Sequence, residues 1–119
     1  MNKSDIIKNI ILIPKHFSEG NISVYSLLKE SGYFELYNQI NESDIFEILS
    51  KNLDCIDQWL IFSADKRTGY GWYFVQSEDG KYIVGYLSLE GNKKETEYLD
   101  KFKACSAFVK QEIEEIRNA

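Results

Sequence analysis

Residues 70–87 read "YGWYFVQSEDGKYIVGYL". Two runs rich in aromatic and β-branched residues flank a polar centre. Asp79-Gly80 supplies the turn there, because glycine tolerates the positive φ that tight hairpins require. The stretch reads as a β-hairpin. A two-residue turn sets Glu78 opposite Lys81, Gln76 opposite Ile83, Phe74 opposite Gly85 and Trp72 opposite Leu87. The second face then holds Ser77 opposite Tyr82, Val75 opposite Val84 and Tyr73 opposite Tyr86. A lone hairpin is marginal in water, so helices or a third strand must cover at least one face.

The sequence after the hairpin offers a helix. From about residue 96 to 117, Leu99, Phe102, Ser106, Val109, Ile113 and Ile116 fall at alternating steps of three and four, and Cys105 and Phe108 widen the stripe. Thr96 is its expected cap, with Glu97–Lys101 and Lys110–Glu114 as supporting i,i+4 pairs. Its expected partner is the Trp72/Phe74/Leu87 face of the hairpin.

Residues 1–51 also carry helical signals. Ile6, Ile7, Ile10 and Ile11 share a face, and Pro14 is expected to stop that run; "NIILI" as a short buried strand is the alternative. Ser23 suits an N-cap for "VYSLLKES" and Gly32 a stop, and "YFELYNQI" continues as a helical turn or two. Ser43 is the expected cap of the next helix, with Asp44 and Glu47 near its positive end and Ile45, Ile48 and Leu49 as its stripe. In 52–65, Asp54 and Asp57 suit a helix start, and Ile56, Trp59, Leu60 and Ser63 lie at i, i+3, i+4 and i+7. Helix is the favoured reading and a strand, "WLIFS", the rival. Residues 1–119 thus form one α+β domain: helices on a small antiparallel hairpin or meander sheet, closed by a long C-terminal helix. The length suits one domain with a core of its own.

The formal net charge of −5 bears on function. An acidic chain repels phosphate backbones at long range, which argues against direct nucleic-acid binding, whereas a basic protein partner is drawn in. Solubility alone is the plainer account of that charge. No stretch approaches the roughly 18 apolar residues of a membrane span. The opening "MNKSDIIKNIILIP" is interrupted by Lys8 and Asn9 and lacks a small-residue cleavage site, so a cytoplasmic location is expected. Cys55 and Cys105 sit in apolar stripes and read as buried thiols rather than a disulfide.

Catalytic and metal chemistry find little support. The single histidine, His16, follows Pro14 in a polar stretch, and a Cys–His pair would need a thiol taken out of a core stripe. One His and two scattered Cys do not make an ordinary zinc site, and no Asp-rich calcium loop is present. The carboxylates Asp54/Asp57, Glu95/Glu97 and Glu112/Glu114/Glu115 fall on helix ends or polar faces rather than in an apparent cleft. Neither an enzyme nor a cofactor is expected, and the acidic clusters are read as a surface for a basic partner.

"DKRTGYGWYF", 65–74, places cations beside glycines and aromatics. A phosphate cradle needs its glycines to lead into a helix, and Gly69 and Gly71 lead into a strand. The structural reading is a turn: Asp65 ends an element, Lys66 and Arg67 satisfy its last carbonyls, and the glycines reverse the chain. The alternatives are a polar cluster formed by Asp65 and Arg67, or contact of this loop with a partner. Tyr70, Tyr73, Tyr82 and Tyr86 crowd the small sheet, and tyrosine is enriched at binding surfaces; a second core layer under the N-terminal helices is the alternative. The candidate partner-binding residues are therefore Asp65, Arg67, Tyr70, Tyr73, Tyr82, Tyr86, Glu95 and Glu97.

The blocks "SVYSLLKESGYFELYNQI", "WLIFSADKRTGYGWYF", "YIVGYL" and "ACSAFVKQEI", in this order across residues 22–116, resemble the small immunity proteins of bacterial contact-dependent growth inhibition systems. The series Trp59, Asp65-Lys66-Arg67 and Gly71-Trp72-Tyr73-Phe74 carries the likeness. The resemblance implies a cytoplasmic, stoichiometric inhibitor of a cognate toxin C-terminal domain, often a nuclease and frequently one directed at tRNA. It implies no contact residues and no oligomeric state. The alternative is a general cytosolic protein-interaction domain without a toxin partner.

Overall fold

The fold is that of a computed structural model, which describes residues 2–65 and 70–119. In chain order come α1 (Lys3–Ile11), α2 (Ile13–Glu19), α3 (Val24–Ser31), α4 (Tyr33–Leu36), a 3-10 turn (Tyr37–Gln39), α5 (Glu42–Leu49) and α6 (Asp54–Asp65). Three strands follow, β1 (Gly71–Gln76), β2 (Tyr82–Leu87) and β3 (Lys93–Tyr98), and then α7 (Lys101–Arg117). The sheet is antiparallel in the order β1-β2-β3. The chain is an α+β fold closed by its C-terminal helix, which touches all three strands as well as α3, α5 and α6.

The helical signals held where they rested on periodicity. Ile6, Ile7, Ile10 and Ile11 are all buried. Ser23 caps α3 by accepting from Ser26 N–H at 3.1 Å, and Gly32 ends it in the left-handed region at φ 94°. Residues 54–65 are helical, with Cys55, Ile56, Trp59 and Ser63 turned into the core. Both cysteines are buried, and they form no disulfide with each other.

Pro14 does not end the helical region. It sits at the start of α2, where a missing N–H costs nothing, and the chain bends at Leu12 instead. Asn41, not Ser43, caps α5. Its Oδ1 accepts from Asp44 N–H at 3.0 Å, and Asp44 Oδ2 accepts from Asn41 N–H at 3.0 Å, a reciprocal capping box. Ser43 only donates to that same Asn41 oxygen, at 2.9 Å.

The hairpin register is one residue away from the sequence expectation. Trp72 pairs with Tyr86, Phe74 with Val84 and Gln76 with Tyr82. The loop has three residues, not two. Gly80 N–H reaches Ser77 O at 3.1 Å, Ser77 N–H reaches Lys81 O at 2.8 Å, and Gly80 has φ 85°. This is a type I turn followed by a left-handed glycine. A one-residue slip exchanges the faces of β2. Tyr82, Val84 and Tyr86 therefore join Trp72 and Phe74 on the inner face, while Ile83 and Leu87 turn outward. Phe74 stacks on Phe108 of α7 with ring centroids 5.7 Å apart.

The second hairpin uses the same chemistry. Ser88-Leu89-Glu90-Gly91-Asn92 repeats the pattern of Ser77 to Lys81: Gly91 N–H bonds to Ser88 O at 3.0 Å, Ser88 N–H to Asn92 O at 2.9 Å, and Gly91 has φ 89°. Thr96 and Glu97 thus lie in β3, not at a helix start. Asp100 caps α7, accepting from Phe102 N–H at 2.8 Å, and Leu99 is exposed. The expected Glu97–Lys101 helical pair does not exist; Glu97 meets Lys81 at 3.6 Å across the sheet.

A polar network fastens α7 to the N-terminal half. The buried Tyr33 hydroxyl donates to Glu114 Oε2 at 2.5 Å and accepts from Lys110 Nζ at 2.8 Å. Lys110 also donates to Ile40 O at 2.6 Å and Tyr37 O at 3.2 Å, in place of the expected Lys110–Glu114 pair. Glu114 pairs with Arg117 at 2.9 Å, and that guanidinium lies 3.7 Å from the Tyr37 ring centre. The Arg117 hydrogen bond, reinforced by Tyr33, holds the Glu114 carboxyl below its usual range. Burial, aided by the neighbouring Glu114, pushes the Tyr33 phenol upward, while burial pulls the Lys110 ammonium downward.

Candidate functional site

α6 carries two stripes, not one. Cys55, Ile56, Trp59 and Ser63 enter the core. Gln58, Ile61, Phe62 and Asp65, again at i, i+3, i+4 and i+7, line a cleft of about 1030 Å³ on another side of the helix. α2 supplies the facing wall with Pro14, Lys15, Phe17 and Ser18, and Val24 closes it from the start of α3. α7 contributes Glu112, Glu115 and Ile116, and Tyr70 stands at the margin ahead of β1.

Among the described residues, the lining is mostly apolar. Ile61 is 61% exposed, Tyr70 47% and Phe17 44%. Water-facing aliphatic and aromatic groups gathered around one concavity are the usual composition of a docking surface, whereas scattered ones are not. Its described lining holds the carboxylates Asp65, Glu112 and Glu115 against the single cation Lys15. Glu112 is nearly fully buried. The Gln58 side-chain oxygen is also buried and, among the described residues, accepts no hydrogen bond.

The cleft is built on the aromatic core. Phe17 meets Phe62 edge-on at 6.3 Å, Phe62 meets Trp59 at 5.2 Å, and Trp59 meets Phe108 at 6.1 Å. Phe108 in turn stacks on Phe74 of the sheet. Edge-to-face contacts of this kind fix ring positions as well as burying area. The walls are therefore held by the same residues that hold the fold.

The residues expected at a partner surface are dispersed. Asp65 and Tyr70 line the cleft. Arg67, with Lys66, lies outside the described residues. Tyr82 and Tyr86 face inward, Tyr82 near Phe74 at 6.1 Å and Tyr86 against Trp72 at 5.1 Å. They share the Trp72/Phe74 face under α7, so the expected second layer under the N-terminal helices does not form; Tyr82 packs on the core cluster and Tyr86 is only partly buried. Tyr73, Glu95 and Glu97 are on the outer face of the sheet. There Tyr73 lies over Gly85, donates its hydroxyl to Glu95, and has Lys93 Nζ 5.9 Å from its ring centre. Partial burial and the Glu95 carboxylate push the Tyr73 phenol up to about 12.

Phe17 and Ile61 were missed, whereas Glu115 was expected at a partner surface only as part of the Glu112/Glu114/Glu115 acidic cluster. The signal for Ile61 and Phe62 was present: with Gln58 and Asp65 they form a complete second helical stripe beside the core one. His16 is exposed on α2 while both thiols are buried, so no Cys–His pair forms. Burial pushes the Cys105 and Cys55 thiols upward, away from the thiolate a nucleophile needs. Among the described residues no group of His, Cys, Asp and Glu is placed to hold a metal, and no helix is long and apolar enough to cross a membrane. No family model matches the chain, and neither the curated proteins nor the solved structures give a match.

Proposed function

We propose that this chain is a cytoplasmic immunity protein that binds and neutralises the C-terminal domain of a cognate toxin, acting by occupancy rather than catalysis. The observation that carries the reading is the cleft between α2, α6 and α7, with exposed Phe17, Ile61 and Tyr70 beside Asp65 and Glu115. A nuclease must carry positive charge to hold its substrate. Apolar walls with Asp65 and Glu115 beside them suit a basic, partly apolar segment of such a domain, and the net charge of −5 speeds its capture. The resemblance of the sequence blocks to contact-dependent growth inhibition immunity proteins supports the same partner. In this reading the chain needs no cofactor and makes no direct contact with nucleic acid.

The test is growth of cells expressing the toxin domain encoded beside this chain, with and without it, followed by co-purification. Rescue together with a stable one-to-one complex is expected. With both proteins folded, absence of rescue and of complex overturns the proposal. A complex without rescue favours the general interaction domain instead.

A further inference from the structure

The two edges of the sheet are treated differently. In the first hairpin the Ser77–Lys81 bond fixes the phase, so Val75–Ile83, Tyr73–Gly85 and Gly71–Leu87 exchange main-chain hydrogen bonds. The main-chain groups of Trp72, Phe74 and Gln76 point to the outer edge of β1. There α6 packs on the strand, and Ser63 Oγ accepts from Phe74 N–H at 2.7 Å.

The Ser88–Asn92 bond sets the same phase in the second hairpin. Tyr86–Lys94, Val84–Thr96 and Tyr82–Tyr98 carry its bonds. The main-chain groups of Lys93, Glu95 and Glu97 therefore point away from the sheet. Lys93 to Glu97 are all exposed, and no turn, loop or cap hydrogen bond among the described residues uses those outward groups.

We propose that this edge docks a second copy of the chain, β3 against β3, antiparallel about a two-fold axis at Glu95. An axis there sets Lys93 of each copy opposite Glu97 of the other, Lys94 opposite Thr96, and Glu95 opposite its twin. The outward-pointing positions then become one another's partners, forming about six main-chain hydrogen bonds, two for each of three facing pairs. Other centres fit less well. An axis at Lys94 places Lys94 against Lys94 in the closer, non-hydrogen-bonded pairing, and Glu97 against Gly91 of the turn. An axis at Thr96 sets Glu95 against Glu97 twice.

Charge on an edge strand ordinarily keeps other strands away. Here the signs at 93 and 97 are opposite, so the edge complements its own two-fold image and repels strands of one sign. The single like-charge pair is moderated within each copy, where the Glu95 carboxylate accepts from the Tyr73 hydroxyl. None of the cleft-lining residues lies on β3, so this dimer and toxin binding stand or fall separately.

Sedimentation velocity from micromolar to millimolar concentration tests the interface. The wild type is expected to dimerise reversibly. Lys93→Glu and Glu97→Lys, both at exposed positions, are each expected to stay folded and monomeric. An equimolar mixture of the two variants is expected to form a heterodimer, because Glu then meets Lys at both positions. A wild type monomeric throughout, a dimer that neither reversal weakens, or a mixture that stays monomeric overturns the proposal.

Discussion

The main-chain N–H of Phe74 donates to the hydroxyl of Ser63 at 2.7 Å, and both groups are buried. This bond joins the sheet edge to the helix that bears the cleft. It meets an edge donor that would otherwise be desolvated without a partner.

Ser63→Ala removes the acceptor and leaves the Phe74 donor buried. A loss of about 1–3 kcal/mol is expected in chemical denaturation, the cost of an unmet buried polar group. Amide exchange at Phe74 should accelerate more than at Tyr73, whose N–H bonds into the ladder. Unchanged stability and exchange would show that the hydroxyl does not cap the edge.

Trp59 and Trp72 should separate clearly. Trp59 is 1% exposed and touches Phe62 and Phe108, so Trp59→Ala is expected to cost about 3–5 kcal/mol. The hairpin alone made Trp72 the expected buried anchor. It is only partly buried at the edge of the core cluster, beside Tyr86. Trp72→Ala should therefore cost distinctly less, and equal midpoints in urea for the two variants would contradict this ranking.

The Glu114 network has a pH signature. The carboxyl is held below its ordinary value of 4.5 in the folded state. Its contribution is therefore complete above that value and is lost as pH falls through the lower folded-state value. Thermal stability should decline as the pH is lowered below 4.5, and Glu114→Gln should make that decline shallower. Parallel melting curves for the two proteins across this window would show that the network does not couple to folding.

What the sequence made legible follows from what each element buries. α3 and α5 to α7 write their buried faces into the chain at helical spacing, so their existence was readable from local pattern. β3 was not readable: "KKETEY" has no buried alternation, and its strand character comes from pairing with β2. Only the Ser-x-acid-Gly echo of the first turn, Ser88 to Gly91, marked it. The hairpin register failed for a related reason. Asp-Gly signals a turn, but a left-handed Gly80 fits two-residue and three-residue loops alike, and that one residue decided whether Tyr82 and Tyr86 faced solvent or α7. The cleft stayed hidden because Ile61 and Phe62 on a second side of α6 read as more core until α2 and α7 are seen to flank that side and leave Ile61 exposed.

The most direct measurement of the central claim is calorimetric titration of the toxin domain into the wild type, Ile61→Arg and Val75→Arg, with matched melting curves. Ile61 lines the cleft and Val75 lies on the outer sheet face; both are exposed, so both variants should fold. The account predicts tight binding to the wild type and to Val75→Arg, and a loss of at least about tenfold, or 1.4 kcal/mol, for Ile61→Arg. Undiminished binding to Ile61→Arg, with loss in Val75→Arg, would place the partner on the sheet and contradict the cleft.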